Sequence, residues 1–199
     1  MLSVGVTGSF GTGKTTVARM LARYGAKVLD ADKIAHQLLK RRGPCFKAVV
    51  ARYGKDILTK GRIDRRKLGR VVFDDPKKLK NLEKVIHPFI IKEIKFNLRR
   101  LAHSKRKGIV VVDVPLLFEA GLHRMVDKVI VVKANRATQI QRLVKRTGMK
   151  RNDIIKRIEI QMPIRHKIRR ADFVIDNGGS LAQTRKQVKM IWRKLKDII

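Results

Sequence analysis

Residues 8–15 read Gly8-Ser9-Phe10-Gly11-Thr12-Gly13-Lys14-Thr15, a complete Walker A phosphate-loop motif close to the start of the chain. An apolar run at residues 2–6 precedes the motif and predicts a β-strand, and residues 16–23 have a helical pattern. Strand, glycine-rich loop and helix in this order are the context in which the motif binds phosphate, the alternative being an ordinary glycine-rich turn before a helix. The sequence therefore predicts that the chain binds a nucleoside triphosphate.

The residue types of the motif indicate how it binds phosphate. Glycines allow a tight turn whose N–H groups point at phosphate oxygens beside the positive end of a helix. The Lys14 ammonium can reach the β- and γ-phosphates, and the Thr15 hydroxyl can bind Mg²⁺. The nucleotide-binding residues predicted here are Gly8, Gly11, Thr12, Gly13, Lys14, Thr15 and Thr16.

Length and composition indicate a globular chain with a core. The chain has 199 residues, of which 44% are hydrophobic, enough for one α/β domain. The single cysteine, Cys45, excludes an internal disulfide and is expected to be a small apolar filler. We see no signal-peptide pattern and no apolar stretch near the roughly 18 residues that a membrane span needs, so a cytoplasmic location is expected.

The net charge is unusually high. Lys and Arg number 49 against 16 Asp and Glu, a formal charge of +33, and such a field attracts polyanions. The basic residues are spread along the chain, aromatic residues make up only 5%, and no nucleic-acid-binding motif is visible. A specific nucleic-acid partner is therefore not expected, whereas non-specific polyanion binding is compatible with this charge. A basic protein that binds RNA and uses ATP as a switch is the alternative.

Apolar runs alternate with helical patterns after the phosphate loop. Strands are predicted at 4–6, 27–30, 109–113, 128–132 and 173–176, and their nearly continuous Val and Ile content favours a parallel sheet. The fold class predicted is α/β, a P-loop kinase-type parallel sheet flanked by helices in a single domain over residues 1–199. A helical insertion at about 33–108 would bind an acceptor, and a basic helical segment at about 138–170 would form a lid.

Local signals place several helix ends. Asp64 is predicted to begin a helix that runs through Val72, and Ser180 is predicted to form a capping box with Gln183. We expect Pro88 to end one helix and open the next, because proline is favoured in the first turn of a helix.

Three acidic residues end predicted strands and are candidates for chemistry. Asp30 and Asp32 follow the second strand, where an extended backbone would place both carboxylates on one side. Asp32 is either a general base, with Asp30 in support, or the N-cap of the next helix. Asp113 ends the third strand and is either a Mg²⁺-associated acid or a carboxylate that bonds to a loop.

Two arginines of the basic segment are candidates for the transferring phosphate. Arg142 and Arg146 are four residues apart and share a helix face, so both can reach phosphates when a lid closes. The alternative is a solvated basic face.

A series of further motifs resembles the dephospho-CoA kinase family over about residues 2–177. In chain order after the phosphate loop, they are Asp30-Ala31-Asp32, His36, His87-Pro88, Asp113-Val114-Pro115-Leu116-Leu117-Phe118-Glu119, Gln139-Ile140-Gln141-Arg142-Leu143, Gln161 and Ala171-Asp172-Phe173-Val174-Ile175-Asp176-Asn177.

The resemblance implies a reaction and roles for these residues. The reaction is transfer of the γ-phosphoryl group of ATP to the 3′-hydroxyl of dephospho-CoA, with Mg²⁺, to give coenzyme A and ADP. The resemblance favours Asp32 as the general base, with Lys14 and Arg142 as further catalytic residues and Asn177 near the adenine. Acceptor binding is implied for Asp32, His36, His87, Pro115, Leu116 and Glu119. Another small-molecule kinase of the same fold, acting on a nucleotide, shikimate or gluconate, is the alternative.

Overall fold

The computed structural model describes residues 1–41, 43–73, 75–103 and 108–199. Positions 42, 74 and 104–107, which belong to the insertion predicted from the sequence, lie outside the described residues. Contacts divide the chain into two compact units, of which the first contains Met1–Leu29 and Leu98–Ile199 and the second contains Asp30–Asn97.

The described residues form seven β-strands and nine α-helices. The strands are β1 (Leu2–Gly8), β2 (Lys27–Asp30), β3 (Leu58–Thr59), β4 (Arg62–Ile63), β5 (Ile109–Asp113), β6 (Lys128–Lys133) and β7 (Phe173–Asp176). The helices are α1 (Lys14–Arg23), α2 (Ala31–Leu38), α3 (Phe46–Tyr53), α4 (Arg65–Phe73), α5 (Pro76–Ala102), α6 (Arg136–Thr147), α7 (Arg151–Glu159), α8 (Ile164–Ile168) and α9 (Leu181–Lys196).

The main sheet has the strand order β2-β5-β1-β6-β7. β1 pairs in parallel with β5 and β6, and β6 pairs in parallel with β7. Every residue of β1 and β5 is buried, as expected for strands that are covered on both faces. The five predicted strands are therefore confirmed, and the carboxyl ends of β1, β5, β6 and β7 lie along one edge of the sheet.

The core of the first unit joins this sheet to α1 and α9. Val17 and Leu21 of α1 and Val188 and Leu195 of α9 are fully buried against the apolar strand residues. The predicted capping box is confirmed: the Ser180 hydroxyl accepts from the Gln183 N–H, and the Gln183 side chain accepts from the Ser180 N–H. These contacts fix the loop between β7 and α9.

The second unit is helical with one short hairpin. α4 begins as predicted after Asp64, whose Oδ1 accepts from the N–H groups of Arg66 (2.8 Å) and Lys67 (3.2 Å). β3 and β4 pair antiparallel around Lys60 and Gly61, both with positive φ. The sequence analysis did not predict this hairpin, because two-residue strands carry too little alternation to be recognised.

The expected helix break at Pro88 is wrong. α5 continues through this proline from Pro76 to Ala102. A proline inside a helix removes one hydrogen bond and costs about 3 kcal/mol. Packing outweighs this cost, since Ile86 and Ile90 on either side of Pro88 contact the same apolar cluster. Pro88 itself is exposed, where water can bond to the carbonyl group that loses its partner.

No helix among the described residues combines the length and the apolar character needed to cross a bilayer.

Candidate active site

The phosphate loop occupies the turn between β1 and α1. Gly11 and Gly13 have φ values of 82° and 87°, in the left-handed region that favours glycine. A Cβ atom on Gly11 would lie 2.7 Å from Cδ1 of Leu143, and one on Gly13 would collide with the Asn177 side chain. Both glycines are therefore required by backbone conformation and by close packing.

Bonds to the Ser9 carbonyl hold the loop closed. The Thr12 hydroxyl, fully buried, donates to this carbonyl at 2.9 Å. The Lys14 ammonium donates to the same oxygen at 3.1 Å. Lys14 therefore lies over the loop, at the place where a bound phosphate would be surrounded by backbone N–H groups.

Thr15 and Asp113 meet where β5 ends beside the start of α1. The Thr15 hydroxyl donates to Oδ2 of Asp113 at 3.0 Å, and Asp113 is only 5% exposed. Val6 of β1 is in register with Asp113, which accounts for the position of the carboxylate beside the loop. Hydroxyl and carboxylate oxygens are ligands that Mg²⁺ prefers, so these two residues fit a Mg²⁺ site completed by water and phosphate. Among the described residues, no group of three or more His, Cys, Asp or Glu side chains could hold a metal ion.

A cavity of about 400 Å³ opens beside the loop in the first unit. The cavity is positively charged because α6 contributes Arg142, Lys145 and Arg146 to its wall. The cavity is also lined by Gly11, Gly13, Thr16 and Asn177. The structure thus brings Arg142 and Arg146 together beside the phosphate loop, whereas their predicted roles remain predictions.

Asn177 connects the loop to α9. Its Nδ2 donates to the Thr12 carbonyl at 2.8 Å, and its Oδ1 accepts from the Thr184 hydroxyl at 2.8 Å. The backbone N–H of Asn177 donates to the Lys133 carbonyl at 2.8 Å, and the residue is 5% exposed. Asn177 therefore holds the phosphate loop in place, a role that the sequence analysis missed, and its contact with adenine stays a prediction.

Asp32 lies in a helix rather than on extended backbone. Asp30 is the N-cap of α2, and its Oδ1 accepts from the Lys33 N–H at 3.0 Å. The alternative in which Asp32 caps this helix is therefore wrong, as is the expected extended geometry of the pair. Asp30 takes the capping position because a carboxylate there bonds to the N–H three residues later. Asp32 is exposed in the first turn of α2, where the helix dipole stabilises its charge.

The two histidines predicted for acceptor binding lie on different helices of the second unit. His36 is exposed on α2, one turn after Asp32 and on the same helix face. His87 is half-buried on α5, and this burial lowers the pKa of its imidazole from the ordinary value of 6.5. Burial favours the neutral form, which can accept as well as donate a hydrogen bond.

The turn after β5 contains Pro115, Leu116 and Glu119. Its Pro115 carbonyl accepts from the Thr7 hydroxyl at 3.1 Å and from the Lys167 ammonium at 3.0 Å. Glu119 forms an ion pair with Lys167 at 2.8 Å, although the Lys167 side chain is completely buried. Burial lowers the pKa of Lys167, and the hydrogen bond and charge of Glu119 oppose this shift. The sequence analysis missed Lys167, because a lysine among many basic residues carries no local sign of burial.

Comparison with known proteins shows that nearly the whole chain is similar to dephospho-CoA kinases. A family model described as dephospho-CoA kinase matches residues 2–183. A dephospho-CoA kinase of Carboxydothermus hydrogenoformans is 42% identical over 196 residues, covering 97% of this chain and 94% of that protein.

Solved structures are also similar to this chain over nearly its whole length. A Thermus thermophilus protein has a TM-score of 0.78 at 33% identity, covering 98% of this chain and 97% of that one. A dephospho-CoA kinase from Campylobacter jejuni has a TM-score of 0.71 at 29% identity, covering 99% of this chain and 98% of that one.

Proposed function

The chain belongs to the dephospho-CoA kinase family and phosphorylates dephospho-CoA with ATP, and we propose that its phosphate loop and the adjoining basic cavity bind the ATP. The observation that carries this proposal is the cavity wall, which combines Gly11 and Gly13 of the loop with Arg142 and Arg146. The phosphoryl group passes to the 3′-hydroxyl of the acceptor ribose, giving coenzyme A and ADP.

Residues of the loop bind and orient the phosphates. The backbone N–H groups of residues 11–15 surround the β-phosphate at the start of α1, and Lys14 leaves the Ser9 carbonyl to bind the β- and γ-phosphates. Thr15 and Asp113 would hold Mg²⁺, which when bound neutralises charge that develops on the phosphate oxygens. These contacts position the γ-phosphate in line with the acceptor hydroxyl.

The lid segment supplies positive charge. α6–α8 correspond to the predicted lid, and Arg142 on α6 already lines the cavity beside the loop. We propose that Arg142 stabilises the transferring phosphoryl group, with Arg146 one turn later on the same face.

Asp32 is proposed as the general base. The carboxylate is exposed just beyond the carboxyl end of β2, the edge at which parallel sheets bind ligands. It would accept the proton of the 3′-hydroxyl as the bond to phosphorus forms. His36, on the same face of α2, would orient this carboxylate.

Acceptor binding is proposed for the second unit and for the turn after β5. His87, Pro115, Leu116 and Glu119 are the residues concerned, together with Asp32 and His36. A cytoplasmic location belongs to the same proposal. The net charge of +33 supports non-specific contact with polyanions, which salt would weaken.

Product analysis tests the proposed reaction. The protein is incubated with ATP, Mg²⁺ and dephospho-CoA, and the products are identified by mass spectrometry, with Lys14→Ala as the control variant. Mg²⁺-dependent coenzyme A that is absent from the control supports the proposal. Folded, ATP-binding protein that forms no coenzyme A would contradict it.

A further inference from the structure

A buried cation connects α8 to the turn after β5. Lys167, whose side chain is 0% exposed, donates to the Pro115 carbonyl at 3.0 Å and pairs with Glu119 at 2.8 Å. Two residues beyond α8, Arg170 lies 4.6 Å from the centre of the Phe118 ring and 2.8 Å from Nε2 of His123. Lys167 in α8 and Arg170 just after it thus contact residues 115–123.

The chain just before α8 connects the same turn to the phosphate loop. The Met162 N–H donates to Oε1 of Glu119 at 3.0 Å, and Oε1 of Gln161 accepts from the Phe10 N–H at 2.8 Å. Phe10 of the loop also packs against the apolar cluster of α6 and α7, and the Arg157 guanidinium lies 6.0 Å from its ring centre. Adjacent residues, Gln161 and Met162, therefore contact the loop and the turn respectively.

We propose that Lys167 is a positioning residue that fixes the turn 115–119 relative to the phosphate loop. The inference rests on the proposed role of this turn in acceptor binding. In this proposal the Glu119 carboxylate aligns the turn through its contacts with Lys167 and with the Met162 N–H.

Physical reasons favour positioning over simple stabilisation. Burying an ammonium group costs several kcal/mol, and even a good ion pair often contributes little net stability compared with apolar packing. What such a pair supplies is a defined geometry, since the Lys167 ammonium satisfies the Pro115 carbonyl and the Glu119 carboxylate together. Phosphoryl transfer depends on in-line placement of the acceptor, so a small shift of this turn lowers the rate strongly.

The test combines steady-state kinetics with amide hydrogen exchange. Lys167→Met removes the charge and keeps much of the side-chain volume. We expect the KM for dephospho-CoA to rise at least about tenfold and kcat to fall at least about tenfold, while the Kd for ATP stays within about threefold. Exchange at the amides of residues 116–122 should become faster, whereas exchange in β1 should not change.

Lys128→Met is the matched control. Lys128 also pairs with a carboxylate, Asp172 at 3.2 Å, but begins β6 at the opposite end of the strand from the site. We expect it to leave kcat, the KM for dephospho-CoA and the amide exchange of residues 116–122 unchanged. If Lys167→Met is folded and keeps the wild-type KM for dephospho-CoA, or if its Kd for ATP rises as much as that KM, the proposal is wrong.

A second variant covers the case in which Lys167→Met does not fold. Glu119→Gln keeps an oxygen that accepts from Lys167 and Met162 and removes only the charge. Faster amide exchange in the turn together with a raised KM for dephospho-CoA supports the proposal. A raised KM with unchanged exchange indicates only a direct contact between Glu119 and the acceptor and contradicts the positioning role, as does an unchanged KM. If the wild-type protein forms no coenzyme A, the proposed function is wrong, and this result does not bear on the positioning role of Lys167. Amide exchange at residues 116–122 then still decides the positioning role, since equal exchange in wild type and variant would overturn it.

Discussion

The Thr15 hydroxyl donates to Oδ2 of Asp113 at 3.0 Å, which joins the last residue of the Walker A motif to the end of β5. The two residues are far apart in sequence and meet because β1 and β5 pair in parallel with Val6 opposite Asp113. Asp113 is 5% exposed, and the bond from Thr15 holds its carboxylate beside the phosphate loop. We propose that Mg²⁺ binds at this pair.

Thr15→Val should weaken the binding of Mg²⁺ at this site. The variant removes the hydroxyl and keeps the side-chain shape, so we expect the Mg²⁺ concentration for half-maximal activity to rise about 10–100-fold. Thr15→Ser keeps the hydroxyl and should stay within about threefold of the wild type. Mg²⁺ titrations at saturating ATP measure both, and equal behaviour of the two variants would exclude a role for the hydroxyl.

Asn177→Ala should destabilise the protein and weaken ATP binding. The substitution leaves the buried Thr12 carbonyl and Thr184 hydroxyl without their partner at 2.8 Å, a loss of about 1–3 kcal/mol in the free energy of unfolding. Asn152→Ala is the matched control, because Asn152 is exposed on α7 and should change stability by less than about 0.5 kcal/mol. Urea unfolding followed by circular dichroism measures the difference, and equal midpoints would show that Asn177 does not hold the loop.

Comparing Gly11→Ala with Gly148→Ala separates the free-energy cost of a positive φ from the cost of a steric clash. Both glycines have positive φ, 82° and 68°, but a Cβ on Gly148 would have no atom within 4 Å, whereas one on Gly11 would lie 2.7 Å from Leu143. Gly148→Ala should therefore cost only the conformational penalty of about 1–2 kcal/mol and leave ATP affinity unchanged. Gly11→Ala should cost more and weaken ATP binding at least about tenfold. Calorimetry with ATP measures this, and identical affinities would contradict the packing argument.

Stability should fall in mild acid because of His87. Its folded pKa is lowered by burial, so the unfolded chain binds the proton more readily than the native protein does. The contribution of neutral His87 is fully present above about pH 6.5, the unfolded value, and is lost as the pH falls from there toward the folded pKa. Melting temperatures between pH 7.5 and pH 5 should therefore fall less for His87→Gln than for the wild type. Parallel curves would show that His87 is not responsible.

His123 should act in the same direction. Its pKa is lowered by burial and by the charges of Arg170 and Arg124, so its protonation is also weaker in the native state. In the same pH series, the melting temperature of His123→Gln should therefore also fall less than that of the wild type.

Much of the fold could be predicted from the sequence because the buried strands are recognisable as continuous apolar runs. Continuous apolar runs such as residues 109–113 are typical of buried parallel strands, and Ser180 and Asp64 are side chains that begin helices by local hydrogen bonds. The dephospho-CoA kinase family and the P-loop kinase fold predicted from the motifs are both confirmed.

The errors arise where long-range packing outweighs local preference. Pro88 lies inside α5 because apolar contacts on both sides hold the helix together. Both Asp30 and Asp32 are suitable N-cap residues for α2. Asp30 occupies the N-cap, and Asp32 therefore lies in the first turn of the helix. No local pattern marks Lys167, since its burial and its bond to Pro115 depend on chain segments 52 residues apart.

Asp32→Asn is the decisive test of the base. Asparagine keeps the size and the helical position but cannot accept the proton of the acceptor hydroxyl, so kcat should fall by about 10²–10⁴-fold. ATP affinity should change little, because the residues proposed to bind ATP belong to the loop and to α6. Asp30→Asn is the matched control: asparagine also caps helices well, so its kcat should stay within about tenfold of the wild type. Single-turnover kinetics with separately measured ATP binding distinguish the two variants, and near-normal turnover by Asp32→Asn would remove Asp32 from the role of general base.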